Sequence, residues 1–131
     1  MNSREEMLSL AVNALYDVKA LDMTLLDVTS LATFTDNFLI ASASSTQHLD
    51  TLETRLYHAL KDAGRLPRVS GKADSGWVVV DLGDLVVHLF LESSRTFYEL
   101  EEFWHEAEQL DVDEFIESPE GPLGDESGKD E

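Results

Sequence analysis

The stretch from Trp77 to Leu91 most constrains what this chain can fold into, because two apolar runs surround a two-residue break. Trp77-Val78-Val79-Val80-Asp81-Leu82 and Leu85-Val86-Val87-His88-Leu89-Phe90-Leu91 flank Gly83-Asp84. Runs so rich in β-branched and aromatic residues favour strands, and glycine at the first loop position suits a type II′ hairpin turn. The turn then sets the register, pairing Leu82 with Leu85 and every second residue outward. One face carries Val80 opposite Val87 and Val78 opposite Leu89, which is purely aliphatic and is predicted to be core. The other presents Trp77 opposite Phe90, Val79 opposite His88 and Asp81 opposite Val86. A face of that kind is either covered by the chain's own helices or offered to a partner, since aromatic anchors with a few polar groups typify interface centres.

Around the hairpin the periodicity alternates between helix and strand. Ser3 and Glu6 have capping-box spacing, and Leu8, Ala11, Leu15 and Val18 recur at helical intervals, which predicts a helix to about Val18. Met23 to Val28 and Phe38 to Ser42 are short apolar runs and are predicted strands. Ser44 or Ser45 opens a second helix with Leu49, Leu52, Leu56, Leu60 and Ala63 on one face, closed by Gly64. Arg65 to Gly76 is mostly connection, with a short strand at Arg68-Val69-Ser70. Ser93 or Ser94 opens a third helix through about Gln109, with Phe97, Leu100, Trp104 and Ala107 as its buried stripe. The expected fold is α/β of the α+β kind: a single domain with a mixed sheet of about five strands flanked by helices.

Length and charge narrow the function. At 131 residues there is room for one core. We expect a domain over residues 1–110 and a disordered acidic tail over 111–131, which holds nine acids against one lysine and packs Phe115 and Ile116 loosely at most. There is no cysteine, which excludes disulfides, thiolate metal sites and cysteine nucleophiles. No signal peptide or membrane-length apolar run is evident, so the expected location is cytoplasmic. The net charge of −18 argues against nucleic acid as the main contact and steers the protein toward basic partners.

Catalytic signals are weak. No glycine-rich phosphate loop, nucleophile elbow or HExxH occurs. His88 and Asp81 lie diagonally across the hairpin, within reach of a hydrogen bond, and without a third ligand they are read as a structural pair, not a metal site. Asp22, Asp27 and Asp36 fall near strand ends, where turns and caps also want them. Ser42-Ala43-Ser44-Ser45 is a helix cap before it is an anion cradle. The only Asp-x-Asp, Asp111-Val112-Asp113, stands at the start of the tail. No catalytic, cofactor or metal residue is assigned.

The hairpin run from Trp77 to Phe90 resembles the signature of the ribosomal silencing factor (Iojap) family. The following Glu92, Arg95-Thr96-Phe97-Tyr98-Glu99-Leu100-Glu101 and Trp104 fit that family's next motif. Lys19-Ala20, Leu26-Asp27-Val28, Thr35-Asp36 before Phe38-Leu39-Ile40-Ala41, and Ser44-Ser45-Thr46 fit upstream. The resemblance covers about residues 5–106 and leaves the tail outside. Asn37 departs from it, standing where an aromatic or apolar residue is usual, and Ser70-Gly71 replaces a common Glu-Gly.

That resemblance implies a fold similar to nucleotidyltransferases but without their catalytic function. It implies binding to the large ribosomal subunit through ribosomal protein fourteen at the subunit-joining face, which obstructs docking of the small subunit and lowers translation when nutrients are scarce. It also implies an exposed aromatic hairpin face and a capacity to self-associate as a homodimer. The partner-binding residues expected on this basis are Trp77, Val79, Asp81, Asp84, His88, Phe90 and Tyr98. Two other uses of the same chain stay open: an assembly factor for the large subunit acting through the same surface, and a nucleotidyltransferase-like enzyme.

Overall fold

The computed structural model describes residues 3–31, 35–93 and 105–116. Two α-helices, α1 (Ser3–Asp17) and α2 (Thr46–Asp62), are interleaved with strands β1 (Leu21–Asp27), β2 (Asn37–Ala43), β3 (Arg68–Lys72), β4 (Trp77–Asp81), β5 (Leu85–Leu91) and β6 (Glu108–Leu110). The strands form one sheet in the order β3-β4-β5-β2-β1-β6. Only β2 and β5 run parallel, and every other pairing is antiparallel.

Local sequence accounts for the element ends. Ser45 caps α2, its Oγ accepting from the His48 backbone N–H at 3.0 Å, and this leaves an apolar stripe of Leu49, Leu52, Leu56 and Leu60 wholly buried. His48 ties the two helices together: Nδ1 accepts from the Ser44 backbone N–H at 2.9 Å, and Nε2 meets the Val18 carbonyl at 2.8 Å. Gly83 adopts φ +93° in the hairpin turn, where Asp81 Oδ1 accepts from its N–H at 2.8 Å. The register is the one anticipated, with Trp77 opposite Phe90, Val78 opposite Leu89, Val79 opposite His88, Val80 opposite Val87 and Asp81 opposite Val86.

Both helices lie on one face of the sheet. Their buried residues, among them Ala11, Val12, Leu15, Leu52 and Leu56, pack against Leu25, Leu39, Ala41, Val78, Val80, Val87 and Leu89. The aliphatic hairpin face is therefore core, as its composition demands. The opposite face gathers a second cluster of Leu26, Val28, Phe38, Ile40, Val86 and Phe90. β2 is buried along its whole length, as befits a central strand apolar on both faces.

Two expectations change. The sheet has six strands rather than about five. The anticipated third helix falls mainly on residues 94–104, outside the described residues, and its last part is not helical. Glu108–Leu110 instead pairs with β1, setting Leu25 opposite Leu110 and Asp27 opposite Glu108, because the outer edge of β1 otherwise leaves its backbone donors and acceptors without a ladder. Beyond it, a 3-10 turn over Val112–Phe115 rests on α1: the Phe115 carbonyl accepts from Asn13 Nδ2 at 2.7 Å and Ser9 Oγ at 3.2 Å. Phe115 and Ile116 are half-buried against the helix-side core. The Asp-x-Asp pair sits in this turn, Asp111 Oδ1 accepting from the Asp113 N–H at 3.0 Å.

Asn37 has a partner in α1. It is fully buried, takes Arg4 Nε on its Oδ1 at 2.8 Å and donates Nδ2 to the Leu26 carbonyl at 3.1 Å. The same arginine reaches Asp27 at 3.2 Å. Hydrogen bonds from Thr29, with further help from Arg4, hold the Asp27 carboxyl below its usual range. A polar residue in a central strand is tolerated because each of its groups has a partner.

Candidate partner-binding face

Strand alternation puts Phe38, Ile40 and Ser42 of β2, Val86, His88 and Phe90 of β5, and Trp77, Val79 and Asp81 of β4 on the sheet face opposite the helices. The parallel β2–β5 pairing sets Phe38 beside Val86, Ile40 beside His88 and Ser42 beside Phe90. Four aromatic rings meet there. Trp77 stacks on Phe90 with centroids 5.2 Å apart, His88 lies 5.0 Å from Phe38 and 6.1 Å from Trp77, and His88 and Phe90 are nearly parallel at 6.3 Å.

Exposure across this face is uneven, which corrects the expectation of an exposed aromatic surface. Phe90 is 0% exposed, and His88 and Val86 are each 7% exposed. Val79 and Asp81 are half-buried. Trp77 is 43% exposed, a large apolar residue at the margin of a buried aromatic cluster. Within the sheet β5 lies between β4 and β2, whereas β4 has only β3 beyond it, so Trp77 is the ring nearest the sheet margin.

The diagonal pair also resolves differently. The Asp81 carboxylate is drawn to the turn amide of Gly83, and His88 Nδ1 instead accepts from Trp77 Nε1 at 3.3 Å. Asp81 acts on His88 only through its charge. Burial pushes the imidazole down from its usual 6.5 to about 4, against a smaller upward pull from Asp81. The ring is thus neutral near pH 7, and with Nδ1 accepting, the proton sits on Nε2. Nε2 and the Ser42 hydroxyl are both buried without a hydrogen-bond partner among the described residues.

Asp84 lies at the hairpin tip, exposed, 3.3 Å from Arg65 Nη2. Its carbonyl accepts from the backbone N–H groups of Asp36 and Asn37, both at 3.2 Å, which pins the turn to the start of β2. Tyr98 lies outside the described residues. Of the remaining expected site residues, the fold brings Trp77, Val79, Asp81, His88 and Phe90 onto one face and holds Asp84 at its end. Sequence reading missed Phe38, Ile40 and Ser42 as members of the face. Alternation within Phe38 to Ser42 was the available signal, but the parallel pairing that juxtaposes them with β5 spans about fifty residues of chain. Among the described residues no three His, Asp or Glu side chains converge as a metal-holding group, and no helix is long and apolar enough to cross a membrane.

Comparison with known proteins places this geometry. Residues 1–130 match the family described as ribosomal silencing factor during starvation, so the match runs through the tail that the shorter resemblance left out. A ribosomal silencing factor of Halalkalibacterium halodurans is 33% identical over 115 residues, covering 87% of this chain and 98% of that protein. A mouse protein named for mitochondrial assembly of the ribosomal large subunit is 33% identical over 101 residues, covering 74% of this chain and 44% of its own length. A crystal structure of a Chromobacterium violaceum protein superposes with a TM-score of 0.74 at 29% identity, covering 95% of both chains. With the signature hairpin in the register its sequence dictates, and with matches that span nearly its whole length, this chain belongs to the ribosomal silencing factor family.

Proposed function

We propose that this protein binds the large ribosomal subunit through the Trp77 margin of the sheet face opposite α1 and α2 and represses translation without catalysis. Its contact is ribosomal protein fourteen, at the surface where the small subunit docks. Occupying that surface blocks subunit joining by steric exclusion, in the cytoplasm, when nutrients are scarce.

The observation that carries this reading is the state of Trp77. The indole is substantially exposed, yet it is held by a hydrogen bond to His88 and a stack on Phe90. An exposed aromatic already fixed in place gives up little side-chain entropy on binding, which is the physical profile of an interface anchor. Val79 extends its apolar area, and Asp81, Asp84 and, from the sequence, Tyr98 complete the proposed contact. A net charge of −18 favours approach to a basic ribosomal protein.

Sedimentation of the protein with purified large subunits tests the reading. Wild type should co-migrate and slow the joining of small subunits, and Trp77→Ala should weaken binding by about 2 kcal/mol, on the order of thirtyfold. Absence of co-migration would overturn the function, and unchanged binding by Trp77→Ala would overturn the interface.

The mouse relative's name favours a second reading, in which the same face holds a maturing large subunit. Loss of the protein would then lead to accumulation of incomplete large subunits in growing cells. Under repression alone, large subunits are complete and only their joining changes.

A further inference from the structure

We propose that the open β3 edge of the sheet, carrying Lys72 opposite Trp77 and Arg68 opposite Asp81, is a contact for RNA phosphates that accompanies the protein contact proposed above. The inference rests on that reading and adds a second chemistry to it.

The charge distribution is the first ground. Nine cations stand against 27 acids in the whole chain, yet Lys61, Arg65, Arg68 and Lys72 fall within twelve residues that contain one acid, Asp62. Cations so scarce are conspicuous when grouped. The fold then brings two of them to the candidate face. β3 is the outermost strand, and all five of its residues are exposed. Its register sets Lys72 opposite Trp77, beside the exposed indole, and Arg68 opposite Asp81 at the far end of β4.

Neither forms an ion pair with a described residue. Arg4, Arg55 and Arg65 do, with Asp27, Asp17 and Asp84. In a chain so rich in carboxylates, two cations at an edge make no such pair, although Asp81 stands opposite Arg68 and Asp74 lies two residues beyond Lys72.

The backbone at this edge is built for close approach. Gly71 has φ +83°, and a Cβ there would lie 2.3 Å from the Trp77 carbonyl oxygen. Only glycine allows β3 to seat this tightly against β4 and deliver Lys72 next to Trp77.

The occupant follows from charge. A protein of net charge −18 settling on a subunit made largely of RNA is repelled by phosphate everywhere except where it shows cations. An anchor meeting a basic ribosomal protein and a cationic edge meeting the neighbouring phosphate backbone satisfy both partners. Arg68 and Lys72 are too few to supply the main affinity, and their effect is orientation and tolerance of the adjacent polyanion.

Equilibrium binding to purified large subunits across a salt series tests this, comparing wild type, Trp77→Ala and the double variant Arg68→Gln/Lys72→Gln. Phosphate contact releases condensed counterions, so each lost contact should lower the slope of log K against log salt by about one. The double variant should lose about two from the slope and on the order of tenfold in affinity at low salt. Trp77→Ala should lose affinity with its slope intact. Wild-type affinity and slope in the double variant would overturn the inference while leaving the proposed function standing. Weaker binding at an unchanged slope would assign the two cations to protein carboxylates and equally overturn it. No binding by wild type would overturn both.

Discussion

The indole N–H of Trp77 donates to Nδ1 of His88 at 3.3 Å, linking the half-exposed ring on β4 to a buried, uncharged imidazole on the central strand β5. The hydrogen bond needs His88 unprotonated at Nδ1, and burial keeps it so. The pose of the proposed anchor therefore depends on a histidine that no partner has to touch.

That dependence predicts a pH response. Above pH 6.5 His88 is neutral in folded and unfolded chains alike and has no effect on stability. As pH falls from 6.5 toward about 4, the unfolded chain takes up a proton that the folded chain does not, so stability is lost over that window. The loss approaches about 3 kcal/mol at about 1.4 kcal/mol per pH unit. Urea unfolding at pH 7 and pH 4.5 should show it for wild type and much less for His88→Phe. The NMR signal of the His88 ring should titrate near pH 4, and a midpoint at 6.5 would contradict the buried neutral ring.

Gly71 and Gly83 should respond differently to the same change. Alanine at Gly71 meets the Trp77 carbonyl as well as an unfavourable φ, whereas at Gly83 no atom lies within 4 Å of the added methyl. Gly83→Ala should cost about 1 kcal/mol for the left-handed backbone alone. Gly71→Ala should cost at least about 2 kcal/mol, because the obstacle is backbone and cannot swing away. Thermal or urea unfolding of the two variants checks the order.

Arg4 and Asn37 should behave as a unit. Arg4→Ala removes the donor to a fully buried amide oxygen and should destabilise by about 1 to 3 kcal/mol. In an Asn37→Leu background the same change should cost less, since no buried acceptor is left without its partner. A double-mutant cycle of urea unfolding measures the coupling. Arg4→Ala should also let the Asp27 pKa rise, though Thr29 continues to hold it down.

Ser45→Ala should cost about 1 kcal/mol, as the Oγ that accepts from the His48 N–H is lost. Ser45→Gly should cost a few tenths. Unfolding midpoints distinguish the two, and an equal effect would mean that the cap is held by the His48 ring contacts instead.

Much of this protein is determined by local sequence. The two-residue break at Gly83-Asp84, with alternation on either side, dictates the hairpin register, because a slip of one residue would turn Val78, Val80, Val87 and Leu89 away from the core. The leucine spacing of α2 and the cap at Ser45 are equally local, and motif content alone was enough to point to the family.

What the tertiary structure decided concerns neighbours distant in the chain. Glu108–Leu110 follows a helical pattern in sequence, yet β1 has a free edge and captures it as a strand. Asn37 reads as an anomaly until Arg4, thirty-three residues away, supplies its donor. Asp81 and His88 are spaced to meet, but a turn amide takes the first and an indole the second. The split of the aromatic face into a buried Phe90 and an exposed Trp77 belongs to the assembled fold, in which Phe90 packs with Phe38, Ile40 and Val86 while Trp77 stands one strand from the sheet edge. Periodicity assigns a residue to a face. How deeply each residue on that face is covered depends on what the tertiary structure packs over and beside it, and periodicity does not contain that information.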